Sequence, residues 1–222
     1  MSVPVTVLVV AKAPVPGRVK TRLAATVGDR VAAEIAAAAL LDTLDAVAAA
    51  PVAARVVALT GELDAAVQAG DIADRLTGFT VMPQRGADFA ARLANAHADV
   101  ADGRPVLQIG MDTPQAGPGL LAACARALLG APAVLGPARD GGWWLLGVHR
   151  PADADCLRTV PMSRPDTGAL TVQALRNNGI EVDYVDELAD VDTVQDIVAV
   201  RERCPPGSRF VAATTSWSGS GG

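Results

Sequence analysis

The sequence predicts a layered α/β fold, on three observations. Short apolar runs rich in β-branched residues alternate with longer stretches whose apolar residues recur at helical spacing. Two of the runs, residues 5–10 and 105–110, are apolar but for Thr6 and Gln108, which suits strands buried on both faces of a sheet. Half of the residues are hydrophobic but only 3% are aromatic, so the core is built from Ala and Val and favours close packing of helix on sheet. The expected fold is a single three-layer α/β/α domain around a Rossmann-like mixed sheet. Its crossovers are mostly right-handed, and the strands at 5–10 and 105–110 are neighbours.

The elements follow in order. After the strand at 5–10, residues 27–50 carry Ile35, Leu40, Leu41, Leu44 and Val47 at helical spacing, and Pro51 ends that helix. A strand at 55–60 and a helix at 62–75 lead to a short strand at 79–82, closed by Pro83. The segment QRGAD (84–88) enters a helix at 89–101. After the strand at 105–110 come a helix at 119–129, strands at 133–136 and 143–148, and a helix at 166–178 ended by Gly179. A strand at 181–185 and a helix at 193–203 complete the pattern. There is no internal repeat or dividing linker, so one domain is expected over 1–204. The Gly- and Ser-rich end, 205–222, reads as a flexible tail.

Composition bounds the chemistry. The net charge of −5 disfavours nucleic acid as a partner. Three cysteines without a C-x-x-C pair suggest neither a disulfide framework nor a zinc site. The N-terminal apolar run is too short for a membrane span and lacks a charged leader, so the expected location is the cytoplasm.

The first strand stops at Lys12, and Pro14, Pro16 and Gly17 prevent helix or strand from continuing. Into this break fall Lys12, Arg18, Lys20 and Arg22, with no acid before Asp29. Ligands of open α/β sheets bind beyond the carboxyl ends of strands, so this loop reads as a phosphate site. A merely solvated basic loop is the alternative. Neither the Walker spacing nor G-x-G-x-x-G is present, so side chains would hold the anion.

Acids stand at two further breaks. Asp112 follows the strand at 105–110, and Pro114 blocks its extension. It reads either as a turn residue or as a ligand of a hard cation such as Mg²⁺, which takes one or two carboxylates beside phosphate and water. The cluster at 186–193 contains Asp190 and Asp192. Asp192 reads as a helix N-cap with Gln195 at the capping-box position, and a metal role can coexist with the cap. Between these clusters, Gly141 and Gly142 allow close backbone approach or a tight hairpin, and one of Trp143 and Trp144 is expected in the core. His97 and His149 accompany no nucleophile elbow; His97 reads as structural or exposed, and Cys124 as core.

The ordered set AKAPVPGRVKTRL, QRGADFAARL, GMDTP, GPARDGGWWLLG and ADVDTVQD resembles the glycosyltransferase-like family named radical-SAM/selenodomain-associated transferase 1. That family belongs to the nucleotide-diphospho-sugar transferase (GT-A) superfamily, and the resemblance covers residues 5–200. Pieces are similar to 2-phospholactate and molybdenum-cofactor guanylyltransferases. The resemblance implies that Arg18, Lys20 and Arg22, with Lys12, hold nucleotide phosphates. It places Gln84, Gly86 and Asp88 near the nucleotide, and Asp140, Gly141, Gly142 and Trp143 near the acceptor. Asp112 and Asp192 would bind Mg²⁺ (or Mn²⁺), with Asp112, Lys20 and Arg18 carrying catalysis. The chain departs from the family pattern at Phe89-Ala90, where a Leu-Gly pair is usual. It departs again at Trp143, where Tyr is usual, and at Met162-Ser163-Arg164, where W-S-T is common.

The expected activity is nucleotidyl transfer from a nucleoside triphosphate to a small phosphorylated acceptor, releasing pyrophosphate. A glycosyltransferase using a nucleotide-sugar and a noncatalytic nucleotide-binding protein are the alternatives. The expected partners are thus a nucleoside triphosphate or nucleotide-sugar and a small-molecule acceptor, with no nucleic acid, no membrane span and a homodimer as a possible assembly.

Overall fold

The computed structural model describes residues 2–218 and is organised on a seven-stranded mixed sheet. The strands are β1 (Val3–Lys12), β2 (Val52–Thr60), β3 (Thr80–Pro83), β4 (Val106–Ile109), β5 (Ala133–Pro137), β6 (Trp143–Val148) and β7 (Val182–Tyr184), in the spatial order β3-β2-β1-β4-β6-β5-β7. β1 is central and lies parallel to both β2 and β4, with Thr6 beside Val106 and Val9 beside Ile109. The expected adjacency of the two largely apolar runs is therefore observed. β6 runs antiparallel to β4 and β5, so its first residue, Trp143, lies at the same end of the sheet as the last residue of β4. Among the described residues no helix is long and apolar enough to cross a membrane.

Alternation along β1 separates two layers of core. Val5, Val7 and Val9 face one cluster with α2 (Asp29–Ala49), α3 (Ala69–Leu76) and α5 (Pro118–Gly130). Leu8 and Val10 face the other, with α4 (Phe89–Asp99), a 3-10 segment at Pro151–Thr159 and α6 (Thr167–Asn177). Helices thus cover both faces of the sheet, and the expected single three-layer domain is observed.

Three boundaries differ from expectation. The helix expected at 27–50 begins earlier, as α1 (Thr21–Val27), and breaks at Gly28, whose φ of 85° ends one helix before α2 begins. The stretch at 62–75 is split into a 3-10 turn, Leu63–Ala65, and α3, whose preceding residue Gln68 has φ 55°. The N-cap of α7 (Val194–Arg201) is Thr193, paired with Asp196 in a capping box, and not Asp192 with Gln195. Asp196 Oδ2 accepts from the Thr193 N–H at 2.6 Å and from the Thr193 hydroxyl at 2.8 Å, while the Asp192 side chain pairs with Arg22.

The largest difference lies beyond residue 204. Residues expected as tail form α8 (Arg209–Ser218), which lies against α2. Phe210 is fully buried among Leu23, Ile35, Ile197 and Val200, and its backbone N–H donates to Asp42 at 2.9 Å. Arg209 pairs with Asp45 and Asp42. α2 is therefore apolar nearly all round because it is covered twice, by the sheet and by α1, α7 and α8. The part of the expected tail at 219–222 lies outside the described residues.

Candidate active site

A cleft of about 740 Å³ opens at the carboxyl ends of β1 and β4, the place where open α/β sheets bind ligands. One wall comes from the first loop and α1, the floor from residues 108–113, and the far wall from α4, the start of β6 and residues 162–165. Six cationic side chains line it against four carboxylates. The cleft is thus locally positive on a chain whose net charge is −5, as an anion site requires.

The first loop delivers its cations as expected. Lys12, Arg18, Lys20 and Arg22 all line the cleft. Lys20 is the residue before α1 and sits in the left-handed region, at φ 47° and ψ 46°. For a side chain with a Cβ this conformation costs about 1–2 kcal/mol. It directs the ammonium inward, where Lys20 Nζ meets Asp112 Oδ1 at 2.7 Å with the Lys side chain only 9% exposed. Lys12 and Arg18 have no acidic partner among the described residues and remain exposed to the cleft. Arg22 pairs with Asp192.

The two acidic segments are joined. Val191 N–H donates to Asp112 O at 3.1 Å, and Gln115 Nε2 donates to Ala189 O. Ala189 and Val191 turn into the core, so Asp190 and Asp192 turn together toward the cleft. Asp192 is occupied by Arg22. The Asp190 carboxyl is pushed up to about 6, first by burial and next by the charge of Asp140. Asp112 acts in the same direction, and Lys20 opposes it. Asp190 thus shares the field of Asp112.

A hard cation would suit Asp112. Asp112 Oδ1 is buried and accepts no hydrogen bond beyond its ion pair with Lys20, and Thr113 Oγ1 beside it has no partner. No group of three or more His, Cys, Asp or Glu converges among the described residues. Two carboxylates suffice for Mg²⁺ where phosphate and water supply the other oxygens.

The remaining predicted residues divide. Asp140, Gly142 and Trp143 line the cleft. Gly142 N–H donates to Asp140 Oδ1 at 2.8 Å, closing the turn. Gly141 does not line it; its φ is 89°, and a Cβ there would run into the Pro165 carbonyl. Gln84 lines the cleft, but its amide donates to the carbonyls of Ala11 and Ala58, tying β3 to the ends of β1 and β2. Gly86 and Asp88 lie outside the lining. A Cβ on Gly86 would come within 2.8 Å of Arg92 N, and Asp88 caps α4 by accepting from Ala91 N–H at 2.8 Å. Their role in the structure is to place α4.

Trp144 is the core tryptophan, with Nε1 donating to Asp186 O. Beneath the floor, His97 is fully buried and its Nε2 meets Gln108 Oε1 at 3.0 Å. With Gln108 accepting, the ring carries its proton on Nε2. Burial pushes its pKa down to about 4 against the opposing effect of that bond, so the ring is neutral and structural.

The model of the family described as "Uncharacterized protein conserved in bacteria (DUF2064)" matches residues 43–164. The chain belongs to this family. Among solved structures, the DUF2064 chain is similar to a candidate nucleotide-diphospho-sugar transferase of Desulfovibrio desulfuricans G20. The identity is 25% and the TM-score 0.83, over 99% of this chain and 96% of that one. It shares the fold of CMP:2-keto-3-deoxy-manno-octonic acid synthetase complexed with CTP, at 13% identity and TM-score 0.55, over 96% and 99% of the two chains. It also shares the fold of Rv0371c of Mycobacterium tuberculosis H37Rv in complex with manganese, at 22% identity and TM-score 0.54, over 89% and 97%. No curated protein matches the sequence. These likenesses place the DUF2064 chain among transferases of the nucleotide-diphospho-sugar transferase fold, in agreement with the resemblance read from its motifs.

Proposed function

We propose that this transferase moves a nucleotidyl group from a nucleoside triphosphate to a small phosphorylated acceptor, with a divalent cation. The observation that carries this reading is the Lys20–Asp112 pair at 2.7 Å. It puts a cation-rich loop and a metal-type carboxylate into one cleft at the ends of adjacent strands. The solved CTP and manganese complexes of proteins with this fold support the same reading.

Lys12, Arg18 and Arg22 would bind the triphosphate, and Lys20 would pass from Asp112 to a phosphate oxygen. Asp112 and Asp190 would hold the cation, whose chemistry is to neutralise charge on the reacting phosphates. In the transfer an acceptor phosphate oxygen forms a bond to the α-phosphorus, the bond from that phosphorus to the bridging oxygen breaks, and pyrophosphate leaves. The chain's part is to position the groups and to stabilise charge as it develops. Release of pyrophosphate needs several cations at one end of the cleft, and the first loop supplies four.

Glycosyl transfer from a nucleotide-sugar is the second reading, favoured by the name of the Desulfovibrio protein. Product analysis separates them: nucleotidyl transfer releases pyrophosphate, and glycosyl transfer releases a nucleoside diphosphate. Binding of nucleotide with neither product, across a panel of acceptors, is the outcome expected of a noncatalytic nucleotide-binding protein.

A further inference from the structure

Gln108 is the polar residue of β4, a strand otherwise made of Val106, Leu107 and Ile109. Leu107 and Ile109 turn to the core layer of α2 and α5, so Gln108 turns to the layer of α4. Its register neighbours are Leu8 on β1 and Leu146 on β6, both fully buried in that second layer. Among such neighbours a polar group left unpaired is costly. Gln108 is only 2% exposed, yet it lines the floor of the cleft.

The amide is engaged on one side only. Its Oε1 meets His97 Nε2 at 3.0 Å, and its Nε2 has no partner among the described residues. His97 Nδ1 is buried and has no partner either. A proton on Nδ1 would therefore be a buried orphan donor, which proteins tolerate less than an orphan acceptor. The ring thus keeps its proton on Nε2 and donates it to Gln108 Oε1. With the amide oxygen held in this way, the NH₂ is the group that Gln108 presents to the cleft.

From this we infer that His97 is a positioning residue, which fixes the Gln108 amide so that its NH₂ donates to a neutral oxygen of the bound nucleotide. The inference rests on the reading of the cleft as a nucleotide site. A base carbonyl or the ribose 2′-hydroxyl supplies that oxygen. The phosphates are left to the first loop, which carries four of the six cations of the cleft and whose Val19 packs into the opposite core layer. His97 touches no ligand and acts only through Gln108.

The test combines a measurement without ligand and a double-mutant cycle. The ¹⁵N spectrum of the His97 ring, in the parent protein alone, is expected to show the proton on Nε2. A proton on Nδ1 would overturn the inference whatever the cleft binds. Calorimetric titration with CTP, GTP, their 2′-deoxy forms and inorganic triphosphate, each with Mg²⁺, then follows Gln108→Leu, His97→Leu, the double variant and His97→Gln. Gln108→Leu and His97→Leu are each expected to weaken CTP or GTP about three- to tenfold and to leave inorganic triphosphate unchanged. The double variant is expected to be no weaker than Gln108→Leu, because His97 has nothing left to position. His97→Gln keeps an amide donor toward Gln108 and is expected to restore binding. A Gln108 effect lost in the 2′-deoxy forms assigns the bond to the ribose, and one that persists assigns it to the base. Losses that add in the double variant, parent-like nucleotide binding in Gln108→Leu, or an equal loss with inorganic triphosphate would overturn the inference. Nucleotide affinity unchanged in Lys20→Ala, with the coupled Gln108 and His97 effects present, would instead sink the phosphate reading of the first loop and leave this pair standing.

Discussion

The backbone N–H of Val191 donates to the carbonyl of Asp112 at 3.1 Å, which fastens the approach to α7 against the end of β4. Two acidic segments far apart in the chain thereby share one cleft. Because Ala189 and Val191 are buried, their neighbours Asp190 and Asp192 both face outward, toward Lys20 and Arg22.

This arrangement ranks the carboxylates. Asp112→Asn is expected to lower turnover by about 100-fold or more, and Asp190→Asn to weaken metal activation by about 10–100-fold. Asp192→Asn loses a half-exposed ion pair to Arg22, worth about 1 kcal/mol or less, and should leave the metal activation curve nearly in place. Activation curves with Mg²⁺ and Mn²⁺ for the three variants check this order. A larger metal defect in Asp192→Asn than in Asp190→Asn would return the metal role to Asp192.

The C-terminal helix is expected to be part of the folded unit. Phe210→Ala removes a fully buried ring from the junction of α1, α2, α7 and α8, and should cost about 3–5 kcal/mol. Chemical denaturation measures this directly. A loss under about 0.5 kcal/mol would mean that residues beyond 204 behave as the tail their composition suggests.

A buried and a half-buried group give opposite pH dependences. His97, pushed down to about 4 from 6.5, binds fewer protons folded than unfolded between those values. Its contribution to stability is therefore present above pH 6.5 and lost as pH falls toward 4. Asp190, pushed up to about 6 from 3.8, binds more protons folded than unfolded. Stability should accordingly fall as pH rises from about 4 to 6, and Asp190→Asn should remove that fall and raise stability at pH 7 by on the order of 1–3 kcal/mol. Denaturation curves at pH 4–7 for the parent, Asp190→Asn and His97→Gln separate the two contributions. Parallel pH profiles for all three proteins would contradict both assignments.

Much of this was legible in the sequence because burial on both faces leaves a plain trace. The two largely apolar runs placed β1 and β4 side by side, and the clustered cations at the end of β1 marked the cleft. The break at Gly28 was hidden because apolar residues keep helical spacing close to it, and only the positive φ shows it. Residues 205–218 lack the dense apolar periodicity of the other helices, and Phe210 and the Arg209 ion pairs help to seat α8. Asp190 and Asp192 lie on the same side of an extended segment, so alternation cannot rank them, and the ion pair of Asp192 with Arg22 is visible only in the structure. Gly86 and Asp88 sit next to the cleft in sequence but serve the start of α4, a distinction that depends on packing between helix and loop.

The central claim is that the first loop holds nucleotide phosphates through Lys20, and its backbone strain provides an internal control. Lys20→Ala and Lys20→Gly both remove the ammonium, but Gly adopts the left-handed conformation of this position without steric cost. The most direct test is calorimetric titration of CTP and GTP with Mg²⁺ into the parent protein and the two variants, beside their unfolding free energies. The affinity of both variants is expected to fall about 10- to 150-fold, the loss of a charge-assisted hydrogen bond of about 1.5–3 kcal/mol. Lys20→Gly is expected to be the more stable variant by about 1 kcal/mol. Parent-like nucleotide affinity in either variant, with the fold intact, would contradict the phosphate role of the loop.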